Sequence, residues 1–209
     1  MTVTIITPTW GRLKTLFERA IPSVAAQDYP AVEHLVVTDG YDADLNAALA
    51  AAGYSGEPGA RRLVTLGRNW SAPEVCHGGV GAIPRLVGAF MASGDYIGYC
   101  DDDNALYPHH VSTLVKALED SGADFACSRW HQNSPAGPAA GGRVPARGQT
   151  DTTAIMHRAS ILRHGSWSWA DGYEADGALV ERWRQAGCSW VSVDEPTFVL
   201  YPHRLGAPD

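Results

Sequence analysis

Three consecutive carboxylates, Asp101, Asp102 and Asp103, close an apolar run in "GDYIGYCDDDNALYP", residues 94–108. Adjacent Asp side chains repel one another, so the group costs energy unless water, cations or hydrogen bonds relieve it. If the backbone stays extended through the triplet, Asp101 and Asp103 point to one side and Asp102 to the other. Two converging carboxylates suit a hard divalent cation such as Mg2+ or Mn2+, which prefers oxygen ligands and shares its remaining positions with water and phosphate. The competing reading is a plain acidic turn, since Asp and Asn are ordinary loop residues.

The elements that must position these acids are short and alternate in type. Strands are expected at Val3 to Thr7, His34 to Thr38, Arg62 to Leu66, Tyr96 to Cys100, Phe125 to Ser128 and Trp190 to Val193. Helices are expected over Leu13 to Ala26, Ala43 to Ala52, Val80 to Ala92 and His110 to Ser121. A further helix opens at Asp176, where Leu179, Trp183 and Ala186 repeat at i, i+4 and i+7. The alternation predicts an α/β domain with a mostly parallel, Rossmann-like sheet covered by helices on both faces. Ligands of such sheets bind beyond the carboxyl ends of the strands. "TPTWGR", "TDG" and "DDDN" follow the first, second and fourth strands, so they share one edge. The Pro-, Gly- and Ala-rich stretch at residues 129–150, "RWHQNSPAGPAAGGRVPARGQT", reads as a mobile loop, and as a lid if it serves a site.

Bulk properties narrow the partners. A chain of 209 residues with 45% apolar content buries a sizeable core in one domain. With 23 acidic against 16 basic residues, a net charge of -7 and no Lys/Arg run, nucleic acid is excluded as an expected partner. "MTVTIITPTWGR" lacks a signal-peptide pattern and no stretch approaches a membrane span, so a cytoplasmic protein without an integral membrane segment is expected. Cys76, Cys100, Cys127 and Cys188 are scattered and read as reduced thiols. Self-association is left open.

The order and spacing of "VTIITPTWGR", "AIPSVAAQDYPAVEHLVVTDG", "GAFMASGDYIGYCDDDN" and "GYEADGALVERWRQAG" resemble the family 2 glycosyltransferases of the GT-A fold. The resemblance implies a single GT-A domain over 1–209, with a nucleotide-binding half at 1–104 and an acceptor-binding half at 105–209. It implies metal-dependent, inverting transfer from a UDP-sugar to the hydroxyl of an acceptor: a glycan, lipid, natural product or protein. Carried over residue by residue, Thr7, Pro8, Trp10 and Asp39 hold the uracil. The chemistry is sound: a carboxylate accepts the uracil N3–H, backbone amides serve its carbonyls and an indole offers a stacking face. The acid triplet matches the family's DXD motif, giving Asp103 to the metal, Asp102 to the ribose and Asp101 to a direct or supporting metal role.

Arg12, Arg68 and Arg85 are candidates to meet the nucleotide, since guanidinium forks match phosphate oxygens. Leu86 stands where the family carries Asn, so only Arg85 transfers from that motif. His203 in "LYPHR" resembles a late His that reaches the metal or diphosphate. Asp176 is the implied general base, although Ala175 replaces the Glu that usually precedes it. Trp167, Trp169 and Tyr173, just before that helix, are candidate acceptor-stacking rings. Two alternatives remain. One is a sugar-nucleotide pyrophosphorylase, which needs a Gly-rich basic loop that "TPTWGRLKT" does not supply. The other is a degenerate sugar-nucleotide-binding module without transfer activity.

Overall fold

The computed structural model describes residues 1–71 and 81–201. The first half runs β1 (Val3–Thr9), a helix built of α1 (Leu13–Thr15), a π-helical turn (Leu16–Ala20) and α2 (Ile21–Ala25), then β2 (Val32–Thr38), α3 (Ala43–Ala51), β3 (Arg61–Thr65), α4 (Ala82–Met91) and β4 (Tyr96–Tyr99). The second half runs β5 (Ala105–Leu106), α5 (His110–Ser121), β6 (Phe125–Gln132), β7 (Ala139–Ala140), β8 (Ile155–Arg158), α6 (Ala175–Gln185) and β9 (Trp190–Leu200). Short 3-10 turns occupy Thr152–Ala154, Ala159–His164 and Trp169–Glu174.

These strands make one sheet in the order β3-β2-β1-β4-β8-β6-β9-β5, with β7 added to β6. The long ladders, β1 with β2, β2 with β3, β1 with β4 and β6 with β9, are parallel. The antiparallel ladders of β8, β5 and β7 are short. Every residue of β1 is buried, as a parallel strand covered on both faces requires. Successive side chains divide between the faces. Ile5, Val36, Tyr96, Ala126 and Met156 join the core under α2, α3 and α5. Ile6, Leu35, Val37, Ile97, Phe125 and Ile155 join the core under α4 and α6.

Each expected element exists, and the boundaries move by one or two residues except at two places. Residues 129–132 are not loop but the continuation of β6, and Ala139–Ala140 pair back on it as β7. The hairpin is sheltered by Trp130, whose ring lies against Gly141 so closely that a Cβ there would come within 2.6 Å of it. The last strand runs on from Val193 to Leu200, because β6 continues beside it. Val80, expected to open a helix, lies outside the described residues, and α4 starts at Ala82. Cys100, Cys127 and Cys188 are free and buried, while Cys76 lies outside the described residues. Among the described residues no helix is long and apolar enough to cross a membrane.

Candidate active site

Because β1, β2, β3 and β4 run in the same direction, Thr9, Asp39, Leu66 and Asp101 emerge together on one edge. The acid triplet does not stay extended there. β4 ends at Tyr99, and the Asn104 N–H donates to the Asp101 carbonyl at 3.0 Å, closing a turn. The alternation expected of the triplet is therefore replaced by a different division. Arg12 Nη1 lies 3.2 Å from a carboxylate oxygen of both Asp102 and Asp103. Asp101 pairs instead with Arg85, 2.6 Å from its Nη2.

The turn is braced from three sides. Thr9 Oγ1 donates to Asp102 at 2.8 Å. Thr153 Oγ1 accepts from the Asp101 amide and from the fully buried Asn104 side chain, and the Asn104 amide oxygen accepts from the Tyr201 N–H. Arg19 donates to the Asp103 carbonyl and lies over the Tyr201 ring. Arg85 comes from α4, one turn after Gly81. Gly81 has φ +73° and a Cβ there would meet the Arg85 guanidinium at 2.9 Å, so glycine both permits the turn and leaves room for the fork.

Two further carboxylates face this group. Asp151 begins the turn that carries Thr153, accepting the Thr153 N–H at 2.8 Å, and Asp176 is the second residue of α6. Burial, and then repulsion by Asp101 and Asp176, pushes the Asp151 carboxyl up. Burial raises Asp176 to about 6 against the pull of the Gly177 N–H and Arg85. Burial raises Asp102 to about 7, with Asp103 and Asp101 adding to it and Arg12 opposing. Among the described residues three of these five acids, Asp102, Asp151 and Asp176, are held above the ordinary carboxylate range, which fits a cationic or proton-donating partner.

The nucleotide candidates fall on the same edge. Thr7 and Pro8 are buried in β1, and Trp10 is 43% exposed beside them. Asp39 is buried, and its two oxygens accept from the Trp70 and Ser71 N–H groups at 2.8 and 2.9 Å, fixing the chain after β3. Gly40, at φ +109°, lets that chain and the Trp10 ring close in, since a Cβ would lie 2.8 Å from the ring. Arg68 is exposed and stacks on Trp70, 3.7 Å from the ring centre.

Of the acceptor candidates, Trp169 and Tyr173 are 52% and 67% exposed. Trp167 is not an open stacking ring. It is buried edge-on against Tyr99 and lies beneath Arg85, whose guanidinium carbon is 5.2 Å from the ring centre. The cause is the apolar floor that α6 and β4 supply, which covers an indole at that point. His203 lies outside the described residues.

A divalent cation fits the donor set in one mode only. Among the described residues no three His, Cys, Asp or Glu side chains form a ready metal cage. A cation shared with a diphosphate needs only one or two protein carboxylates, and Asp101 and Asp103 offer hard oxygen donors in the acid turn. Sequence reasoning missed Thr9, Asn104, Asp151 and Thr153. The one available signal was "QTDTT", an Asp placed to cap a turn after a Gly- and Pro-rich stretch.

Comparison with solved structures places the fold. Staphylococcus aureus TarS 1-349 in complex with UDP-GlcNAc superposes with a TM-score of 0.75 at 16% identity, over 100% of this chain and 60% of that one. TarS 1-349 itself gives 0.72 at 16% identity, over 96% and 60%. The mannosyltransferase PcManGT from Pyrobaculum calidifontis, in complex with GDP-Man and Mn2+, gives 0.72 at 15% identity, over 98% and 58%. The chain thus spans about 60% of these neighbours' length. Comparison with curated proteins gave no significant match. The sequence profile described as glycosyl transferase family 2 matches residues 4–143, the span that runs from β1 through the acid turn and the β6–β7 hairpin. On that match, with the sheet and the strand-end site in agreement, this chain is a member of glycosyl transferase family 2.

Proposed function

We propose that the chain transfers a sugar from a UDP-sugar to an acceptor hydroxyl, with inversion at the anomeric carbon and with Mn2+ or Mg2+ bound. The observation that carries this reading is the convergence of Asp39, the Asp101–Asp103 turn with Arg12 and Arg85, and Asp176 on one sheet edge.

Residues 1–104 form the donor half. Asp39 accepts the base N–H: each of its oxygens has a lone pair left after the Trp70 and Ser71 bonds. Backbone groups of Thr7 and Pro8 meet the base carbonyls and Trp10 gives a stacking face. Asp102 holds the ribose, while Arg12, Arg68 and Arg85 face the diphosphate. Asp101 and Asp103 would hold the cation, which when bound offsets the charge developing on the departing diphosphate.

Residues 105–209 form the acceptor half, with Trp169 and Tyr173 as exposed rings for an acceptor. Asp176 takes the proton from the attacking hydroxyl. A carboxyl raised to about 6 is ionised at neutral pH yet more basic than an ordinary Asp.

A thermal-shift panel of UDP, GDP, CDP and dTDP, with and without Mn2+, tests base and metal together. UDP with Mn2+ should stabilise most, by roughly 2.7 kcal/mol at a hundredfold excess over its dissociation constant. Release of UDP from a UDP-sugar then separates a transferase from a binding module, which would bind and release nothing.

A further inference from the structure

The opposite edge of the sheet holds a second concavity, at the amino-terminal ends of β2 and β3. It is a cavity of about 220 Å3 whose walls include Tyr29, Val32 and Ala60 on the apolar side and His34, Tyr54 and Arg61 on the polar side. Arg61 Nη1 donates to the Ala52 carbonyl at 2.8 Å and its guanidinium carbon lies 6.0 Å from the centre of the Tyr54 ring, and its side chain makes no other hydrogen bond among the described residues. Nor does any acid pair with it there, in contrast to Arg62 one residue on, which is bound to Glu33. A guanidinium at the mouth of a partly apolar cavity selects for an anion, and its planar fork matches a carboxylate. The apolar walls disfavour a bare inorganic anion, which gains nothing from them. Size limits the rest: an apolar cavity of about 150 Å3 accepts benzene, so this one takes a single ring and its acid group.

We infer that this cavity is a binding site for a small organic monocarboxylate with a compact apolar body, its carboxylate on Arg61 and its body against Tyr29, Val32 and Ala60. The site has a built-in reporter. The Tyr54 hydroxyl lies 2.6 Å from His34 Nδ1, and His34 Nε2 lies 2.9 Å from Thr7 Oγ1 on β1. His34 is buried and neutral, so its ring carries one N–H, and the Tyr54–His34–Thr7 chain has two proton arrangements. A ligand oxygen that accepts the Tyr54 proton selects the arrangement with the proton on Nδ1. Occupancy of the cavity is therefore written into the His34 ring.

The probe is sodium benzoate, titrated into the full chain carrying nitrogen-labelled histidine, with the His34 ring signals followed by NMR. No sugar nucleotide or turnover is involved, so the result stands apart from the transferase reading. A saturable change at His34 is expected in the low-millimolar range. Benzyl alcohol, neutral and of similar size, should bind at least about tenfold more weakly, as should benzoate to Arg61→Gln. Arg61 is exposed, so that replacement leaves the fold in place. Ala60→Leu, which adds bulk to the exposed rim of the cavity, should weaken the response at least about tenfold. The site does not exist if no saturable change appears by about 20 mM benzoate, or if Arg61→Gln or Ala60→Leu responds as the wild type does.

Discussion

The two edges of the sheet treat buried charge in opposite ways. At the rear edge, Glu33 accepts from Thr4, from Arg62 at 2.8 Å and from the Ser93 N–H at 3.2 Å. Burial alone would raise its carboxyl, but the bonds from Thr4, Arg62 and Ser93 outweigh it and hold Glu33 below its ordinary value. At the front edge, Asp101, Asp102, Asp103, Asp151 and Asp176 gather about Arg12 and Arg85, and three of the five have carboxyls raised well above the usual range. A network that satisfies itself serves stability. One whose acids are held above their ordinary range, as three are here among the described residues, stores a demand that a ligand can meet.

The comparison can be broken at the rear first. Glu33→Ala leaves Arg62, whose side chain is 12% exposed, with the Met91 carbonyl but without its acid, and should cost roughly 3 kcal/mol of stability by urea denaturation, with turnover per folded molecule unchanged. A loss below about 0.5 kcal/mol would mean the rear network is no more than a surface pair.

At the front the loss should fall on chemistry. Asp176→Asn keeps the Gly177 bond but cannot take a proton, so turnover should drop about 100-fold, near 2.7 kcal/mol of barrier, with UDP affinity and melting temperature nearly kept. Wild-type turnover in this variant would move the base elsewhere, with Glu174 and Asp151 the next positions to replace.

Asp102→Asn sharpens the contrast because its sign is reversed. A carboxyl whose folded value is raised to about 7 destabilises the fold when ionised, so without ligand the protein should gain stability as pH falls from 8 towards 6.5. The variant should be about 2 kcal/mol more stable than wild type at pH 8, with the gap narrowing by pH 6.5. That window belongs to the front edge. His34, His110 and His157, which burial pushes down to about 3, 3 and 4, take up protons in the unfolded chain only as pH falls below about 6.5. There they act in the opposite sense. A variant less stable at pH 8 would show that Arg12 and Thr9 compensate Asp102 fully.

The smallest effect is expected of Asp103→Ala, read as the ratio of UDP affinities with Mn2+ and with EDTA. That ratio should shrink by about tenfold, near 1.4 kcal/mol. If EDTA leaves wild-type UDP binding untouched, the cation has no place in the donor site.

Much of the site was legible because its residues follow strands that the pattern itself reveals. Asp39 and the acid triplet could be placed on one edge as soon as β2 and β4 were read as parallel neighbours of β1. The partners of those acids were not legible. Arg12 and Arg85 stood among the candidates for phosphate, yet their pairing with Asp102, Asp103 and Asp101 joins residues 90, 91 and 16 positions apart. Nothing in local spacing encodes such a contact. Asp151 escaped because its turn lies beyond a Gly- and Pro-rich segment that carries no period.

The sequence by itself determined the layers: β-branched runs long enough to cross a covered sheet, helices between them and a glycine where the chain must turn tightly after β2, at Gly40. These are local properties, fixed by the steric and burial preferences of neighbouring residues. Only the tertiary structure decided that β8 enters antiparallel between β4 and β6. That insertion sets Thr153 against Asp101 and Asn104, and with it the shape of the acid turn. It also decided that Trp167 lies beneath Arg85 while Trp169 faces solvent, two residues apart in one short segment. Which indole is covered depends on what α4, α6 and β4 bring to that point. Burial is a property of the assembled surface, and no residue carries it alone.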